Sequence, residues 1–216
     1  MPTWNELFSQ EQHRWQDPHH TVVSFGAALT EQRAERVLDL GCGAGRHVVH
    51  LTRLGFQVVG ADISEKGLSV TQQRLAGCDL LANLQLCDVT AIPLADGSVD
   101  AVVTLYVIYH NRLEGIQRTV QEIERVLRPG GLLLITLMSQ RSHRYGDGEE
   151  IEPDTFLPIT GADAGVPHHF FGLAGVLSLM EPFRVSSLYL DEREEHTEDG
   201  RTQLHSHWVC VAHKAA

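Results

Sequence analysis

The sequence predicts an α/β domain: a doubly wound, mostly parallel sheet that ends in an antiparallel hairpin. Three observations predict it. From residue 36 to residue 138, short runs that are apolar throughout alternate with amphipathic stretches. A turn carrying Gly41, Gly43 and Gly45 directly follows the first apolar run. The end of the chain then breaks the alternation with two strand-like runs around an Asp-Gly turn. Strands that are apolar on both faces need helices on both sides, which crossover connections in a parallel sheet provide.

The elements follow in order. RVLDL (36–40) reads as a buried strand, and RHVVHLTRLG (46–55) as a helix ending at a glycine. QVVGADI (57–63) is a second strand. SEKGLSVTQQRLAG (64–77) is a helix with Ser64 at its N-cap and Gly77 past its end. LQLCDV (84–89) and VDAVVTLYVI (99–108) are the third and fourth strands. RLEGIQRTVQEIERVLRPGG (112–131) is a helix closed by a Pro-Gly turn, and LLLITLM (132–138) the fifth strand. RVSSLYLDERE (184–194) and TQLHSHWVCVAH (202–213) form a hairpin around Asp199 and Gly200, which brings the sheet to seven strands. The stretch 139–171 is rich in Gly, Pro and charge and long for a connection, which predicts an ordered cover over a site.

The 216 residues suit one domain. Within it, residues 1–35 form an N-terminal helical cap, 36–138 the ligand-binding core, 139–182 a cover insertion with a helix, and 183–216 the hairpin. An apolar fraction of 43% leaves enough for a core. A net charge of −11 argues against a nucleic-acid partner, because binders of a phosphate backbone carry basic patches. No apolar run has bilayer-spanning length, and the polar N-terminus lacks a signal pattern, so no membrane partner and a cytoplasmic location are expected. The four cysteines show no C-x-x-C spacing, which favours reduced thiols.

Three glycines close together are costly to order and imply a close approach to backbone. The pattern is G-x-G-x-G, with Arg46 where a dinucleotide fingerprint has glycine. Such a turn leaves a strand, and the helix N-terminus behind it offers free N–H groups to an anion. Asp39 precedes the turn, Asp62 ends the second strand about twenty residues on, and Asp88 ends the third. Acids at neighbouring strand ends face one crevice, where a carboxylate suits ribose hydroxyls and a cationic amine. A single acid there is more often a cap or turn former.

VLDLGCGAGRH, GADIS, CDVTAIPLADGSVDAVVTLYVIYH and RVLRPGGLLLITL resemble, in order and spacing, the successive motifs of class I S-adenosylmethionine-dependent methyltransferases. That resemblance implies a Rossmann-like sheet and S-adenosylmethionine as cofactor. It implies that Gly41, Cys42, Gly43 and Arg46 lie against the methionyl part and that Asp39 approaches its amino group. Asp62 would meet the ribose and Asp88 with Val89 the adenine, with Ile63, Leu105 and Tyr106 as further cofactor-binding residues. Cys42 is a spacer in the turn and not a nucleophile. EIEPDTF and PHHFF are similar to small-molecule methyltransferases loosely grouped as tellurite-resistance-like.

The implied chemistry is methyl transfer to a small molecule, an in-line displacement needing alignment and exclusion of water. Tyr106 and His110 are the catalytic candidates, His110 as a base near neutral pH. Trp15, Tyr109, His168 and His169 are candidates for the substrate side and its lid. Glu150, Glu152, His168, His169, His205 and His207 are metal-ligand types in a spacing that matches no zinc signature, so no resident metal is expected. Two other readings stay open: a nucleotide-dependent oxidoreductase, which Arg46 and the hairpin disfavour, and a non-catalytic cofactor-binding module. A monomer and a homodimer are equally compatible with the sequence.

Overall fold

The computed structural model describes residues 4–197 and 200–215. The N-terminal segment holds α1 (Trp4–Ser9), a 3-10 turn (Glu11–His13) and α2 (His20–Glu31). The alternating region follows as β1 (Arg36–Leu40), α3 (Arg46–Arg53), β2 (Gln57–Asp62), α4 (Glu65–Ala76), β3 (Asn83–Leu86), β4 (Val99–Thr104), α5 (Leu113–Val126) and β5 (Leu127–Ser139). The cover segment contributes β6 (Glu149–Glu152), β7 (Thr155–Leu157), β8 (His168–Phe171) and α6 (Leu173–Leu179). The chain closes with β9 (Phe183–His196) and β10 (Thr202–Lys214). The expected hairpin is present, but Asp199 of its expected turn lies outside the described residues, as do Met1 to Thr3 of the expected cap.

The main path runs β3-β2-β1-β4-β5-β10-β9, with β3, β2, β1, β4 and β5 parallel and the last two antiparallel. The sheet has ten strands among the described residues, not the expected seven, because the cover segment adds three. Beyond Ile135, β4 has ended, and β8 pairs there with Met138 and Ser139 of β5. That unpaired edge gave the cover segment a place to join. Two strands also end early. β3 stops at Leu86, not 89, because Asp88 folds back into a turn with Thr90, whose N–H reaches its Oδ1 at 2.8 Å. β4 stops at Thr104, not 108, because Tyr106 takes φ +62°.

Alternation along the strands divides the core between the two faces. Leu38, Val102 and Leu133 face one cluster with Ile116, Ile123 and Val176 of α5 and α6. Val37, Val103 and Leu134 face the other, with Phe25, Val48 and Leu51 of α2 and α3. In α5 the buried residues Ile116, Val120 and Ile123 recur at helical spacing. Ser64 caps α4 by accepting the Gly67 N–H at 3.0 Å. At the amino edge of the sheet, the Asp100 carboxylate accepts the N–H groups of Glu35 and Arg36 and pairs with Arg128. No helix among the described residues is long and apolar enough to cross a membrane.

Candidate functional site

Register brings the functional candidates to one edge. Asp39 lies beside Gly60 of β2 and Val103 of β4, so the carboxyl ends of these three central strands stand together. The glycine turn leaves β1 there. Gly41, Gly43 and Gly45 all have positive φ, which side chains rarely adopt. The N–H groups of Gly41 and Cys42 both reach the Ala61 carbonyl, fastening the turn to β2.

Asp39 is fully buried, and its Oδ2 has no hydrogen-bond partner among the described residues. Burial pushes its carboxyl up to about 7, against the pull of Arg46. His47 Nδ1 stands 4.0 Å from the other oxygen. Asp62 is also buried, but its carboxylate accepts the Gly43 N–H at 2.7 Å and the Ser64 N–H at 2.8 Å. Burial raises its carboxyl and those two donors oppose the rise. Asp62 therefore braces the glycine turn. Ile63 next to it is half exposed. Asp88 is exposed and its Oδ1 is committed to Thr90, while Val89 packs on the core. Cys42 is buried, and burial followed by Asp39 and Asp62 raises its thiol well above the usual range, as suits a spacer.

The glycines meet protein as well as open edge. A side chain on Gly41 would strike Val107, one on Gly43 would come 2.6 Å from the Phe8 ring, and one on Gly45 2.5 Å from Thr71. Phe8 belongs to α1, which lies across the edge of the sheet. Asn5 Oδ1 accepts from Ser64 Oγ and the Lys66 N–H, and Trp4 packs edge-on against His110 with ring centroids 5.1 Å apart. Arg14 donates to the carbonyls of Phe8 and Ser9. Arg74 donates to those of Arg14, Trp15 and Ala44. Trp15 is 62% exposed, and the Arg46 guanidinium lies 5.5 Å from its ring centroid. The sequence singled out Trp4, Phe8 and Trp15 for a lid, but it did not show that Phe8 lies on Gly43 or that Asn5 meets Ser64, because those partners lie 35 or more residues away.

Past β4, Leu105 is buried and Tyr106 gives its N–H to Thr136 Oγ1 at 2.7 Å. Positive φ on an aromatic residue is strained and such strain gathers at functional sites. The Tyr106 hydroxyl meets His19 Nε2 at 2.9 Å and its ring stands edge-on to His207. Burial, then Asp191, raises its phenol to about 12, so it stays protonated. His110 Nδ1 is buried without a partner among the described residues, and burial, then His168, holds the ring well below the usual histidine range.

The remaining candidates are scattered. Tyr109 is buried, with its hydroxyl 3.4 Å from His207 Nε2. His168 is buried against Asp163, Nε2 to Oδ2 at 2.9 Å, and Asp163 is also gripped by Arg144. His169 is taken up by Thr155 Oγ1 at 2.6 Å, a tie within the cover strands. Glu152 caps α5 through the Leu113 N–H, and His205 contacts Glu195. The ligand-type residues of the cover and hairpin are thus not gathered into one group. Among the described residues, the gathered groups are His19 with His20 and Asp191, and His110 with Asp163 and His168. His19 and His20 are visibly paired in the sequence, but nothing there pointed to Asp191, which comes from a strand far along the chain.

An open, mostly parallel sheet with a glycine turn and buried acids at its carboxyl edge defines a nucleotide-type α/β binding fold. Residues 38–135 match the family described as a methyltransferase domain. Over that span, which is less than half of the chain, the sequence is similar to the class I S-adenosylmethionine-dependent methyltransferases. It is 34% identical over 134 residues to the methyltransferase GfsG of Streptomyces halstedii, covering 56% of this chain and 48% of that protein. It is 38% identical over 113 residues to a demethylmenaquinone methyltransferase of Clavibacter sepedonicus, covering 52% and 45%. The chain spans about half the length of the curated relatives it matches. Its fold is similar to a SAM-dependent methyltransferase structure from Methanosarcina mazei, with a TM-score of 0.72 at 22% identity, covering 92% of this chain and 99% of that one.

The residues present fit this cofactor at one end by their own chemistry. A buried carboxylate oxygen with no partner is the group a cationic amine would satisfy. At the glycine turn, Phe8 and Val107 lie where a ligand would need backbone.

Proposed function

We propose that this chain transfers a methyl group from S-adenosylmethionine to a small-molecule acceptor by in-line displacement. The observation that carries the reading is Asp39, whose buried Oδ2 awaits a positive partner directly before the glycine turn. S-adenosylmethionine, when bound, supplies a sulfonium-activated methyl, so the protein's task is alignment and exclusion of water.

In this reading Asp39 Oδ2 accepts from the cofactor's ammonium group, and the turn from Gly41 to Gly45, with Cys42 as spacer, meets it with backbone once Phe8 and Val107 shift from the glycine faces. Arg46 opens α3 and offers its guanidinium to the carboxylate. Asp62 keeps lone pairs beyond its two backbone donors for ribose hydroxyls. Ile63 presents an apolar face to the adenine, and Asp88 and Val89 border its edge. Leu105 and Tyr106 close the wall toward the acceptor. Tyr106 Oη is a hydrogen-bond donor that orients the acceptor. His110 is the base where the acceptor gives up a proton, because its ring is held neutral and Nδ1 has no partner. Trp4, Trp15 and Tyr109 exclude water, and His168 and His169 hold the cover segment in place behind them. Residues 36–138 hold the cofactor, and 1–35 with 139–182 shape the acceptor side. The four free thiols support a reducing compartment, and the cytoplasm is the proposed location.

Calorimetry with S-adenosylhomocysteine and with NAD tests the cofactor. Binding of the first alone, followed by product release from a panel of small acceptors, supports the reading. Binding of NAD alone overturns it.

A further inference from the structure

We propose that His19, His20 and Asp191 form a binding site for a divalent first-row transition-metal ion beside Tyr106. The Nε2 atoms of His19 and His20 each lie 3.5 Å from Asp191 Oδ2. The three donor atoms fall within 4.8 Å of one another. Metal–ligand bonds of about 2.0–2.2 Å place adjacent donors roughly 3–3.5 Å apart, so little movement is needed to close the set around an ion. Two imidazoles and one carboxylate are a donor set for zinc, iron(II) and manganese that leaves positions open.

The surroundings favour that use. Thr21 Oγ1 lies 2.8 Å from His19 Nδ1. In the ligating tautomer Nδ1 carries the proton and gives it to that hydroxyl, in place of the weaker 3.4 Å approach of the Thr21 N–H. Nε2 is then the free nitrogen, and its present partner, Tyr106 Oη, becomes the ion's neighbour. The His20 side chain is 70% exposed, which gives an ion a way in. His207 is the cross-strand neighbour of Asp191 and packs on Tyr106, adding a further imidazole at the rim. The second gathered group lacks a free carboxylate: Arg144 already takes both oxygens of Asp163, at 2.7 and 3.0 Å.

One carboxylate leaves the centre net positive, and Arg46 lies 6.0 Å from the Tyr106 ring centroid. On the methyltransferase reading of the crevice, open positions with that charge would take an acceptor bearing an anionic oxygen, such as a phenolate or a small oxyanion.

The test uses the full chain without an affinity tag, stripped with a chelator and titrated with Zn²⁺ and Mn²⁺ by calorimetry. The expected result is one equivalent bound by at least one ion, with His20→Ala and Asp191→Asn each lowering affinity roughly tenfold or more. His168→Asn is expected to leave metal affinity unchanged. Circular dichroism checks that the variants fold. Failure of both ions to bind, or unaltered binding in the His20 and Asp191 variants, overturns the proposal. Loss on His168→Asn instead places the ion in the other group and also overturns it. S-adenosylhomocysteine titrated into the same samples reports on the cofactor reading separately, since metal binding without it supports this site and counts only against that reading.

Discussion

Asp39 joins two energetic demands in one carboxylate. Its burial disfavours charge, while a cationic ligand would need the charge. With the carboxyl near 7, a ligand ammonium binds the ionised form and expels the proton that the free protein holds below that pH. Affinity for S-adenosylhomocysteine should therefore rise from pH 6 to pH 8 and level off above. Calorimetry at three pH values checks this, and a flat profile counts against the role. Asp39→Asn should lose roughly tenfold or more in affinity, the range for a hydrogen bond to a charged group, without a lower melting temperature at pH 8. At Gly41 the demand is steric. Gly41→Ala adds a methyl against Val107 at φ +75°, and should cost roughly 2–4 kcal/mol in denaturant unfolding.

Among the elements, α1 and the turn behind it are the ones whose place matters most. The segment from Trp4 to Trp15 buries few side chains, Leu7 among them, yet it reaches Gly43, Ser64 and His110 together. An element with little core and many site contacts should govern function more than stability. Removing residues 1–20 should thus abolish turnover while lowering the melting temperature by only a few degrees. An equal loss of both would make the segment simple packing. Phe8→Ala should be fully folded and alter cofactor affinity, read by the same calorimetry. The helices and strands of the core were legible from their spacing, as the capped α4 and the apolar β5 illustrate. A helical cap at the N-terminus was expected, but what α1 lies on was not legible, since its six residues carry too short a pattern.

Over the whole molecule, histidines set the acid limit. His19 and His207 are held down to about 4, burial being the first cause in both, and His47 and His110 lie well below their usual range. The unfolded chain protonates these rings near 6.5, so their contribution to stability is complete above that pH and is lost as pH falls toward 4. Asp39, whose carboxyl is raised to about 7, and Asp62, raised by burial, act in the opposite sense, but they are two groups against four. Melting temperature should fall steeply between pH 6.5 and pH 4, and a level profile would contradict the neutral cluster. The sequence alone determined the alternating sheet, the glycine turn and the acids at the strand ends, because period and turn chemistry are local. It carried the resemblance to methyltransferases for the same reason, since the motifs are contiguous. Only the tertiary structure decided that Asp62 braces the turn, that Asp88 serves Thr90, and that Phe8 lies on Gly43. It alone brought His19 and His20 to Asp191, because strand pairing and chain return join residues that no spacing relates.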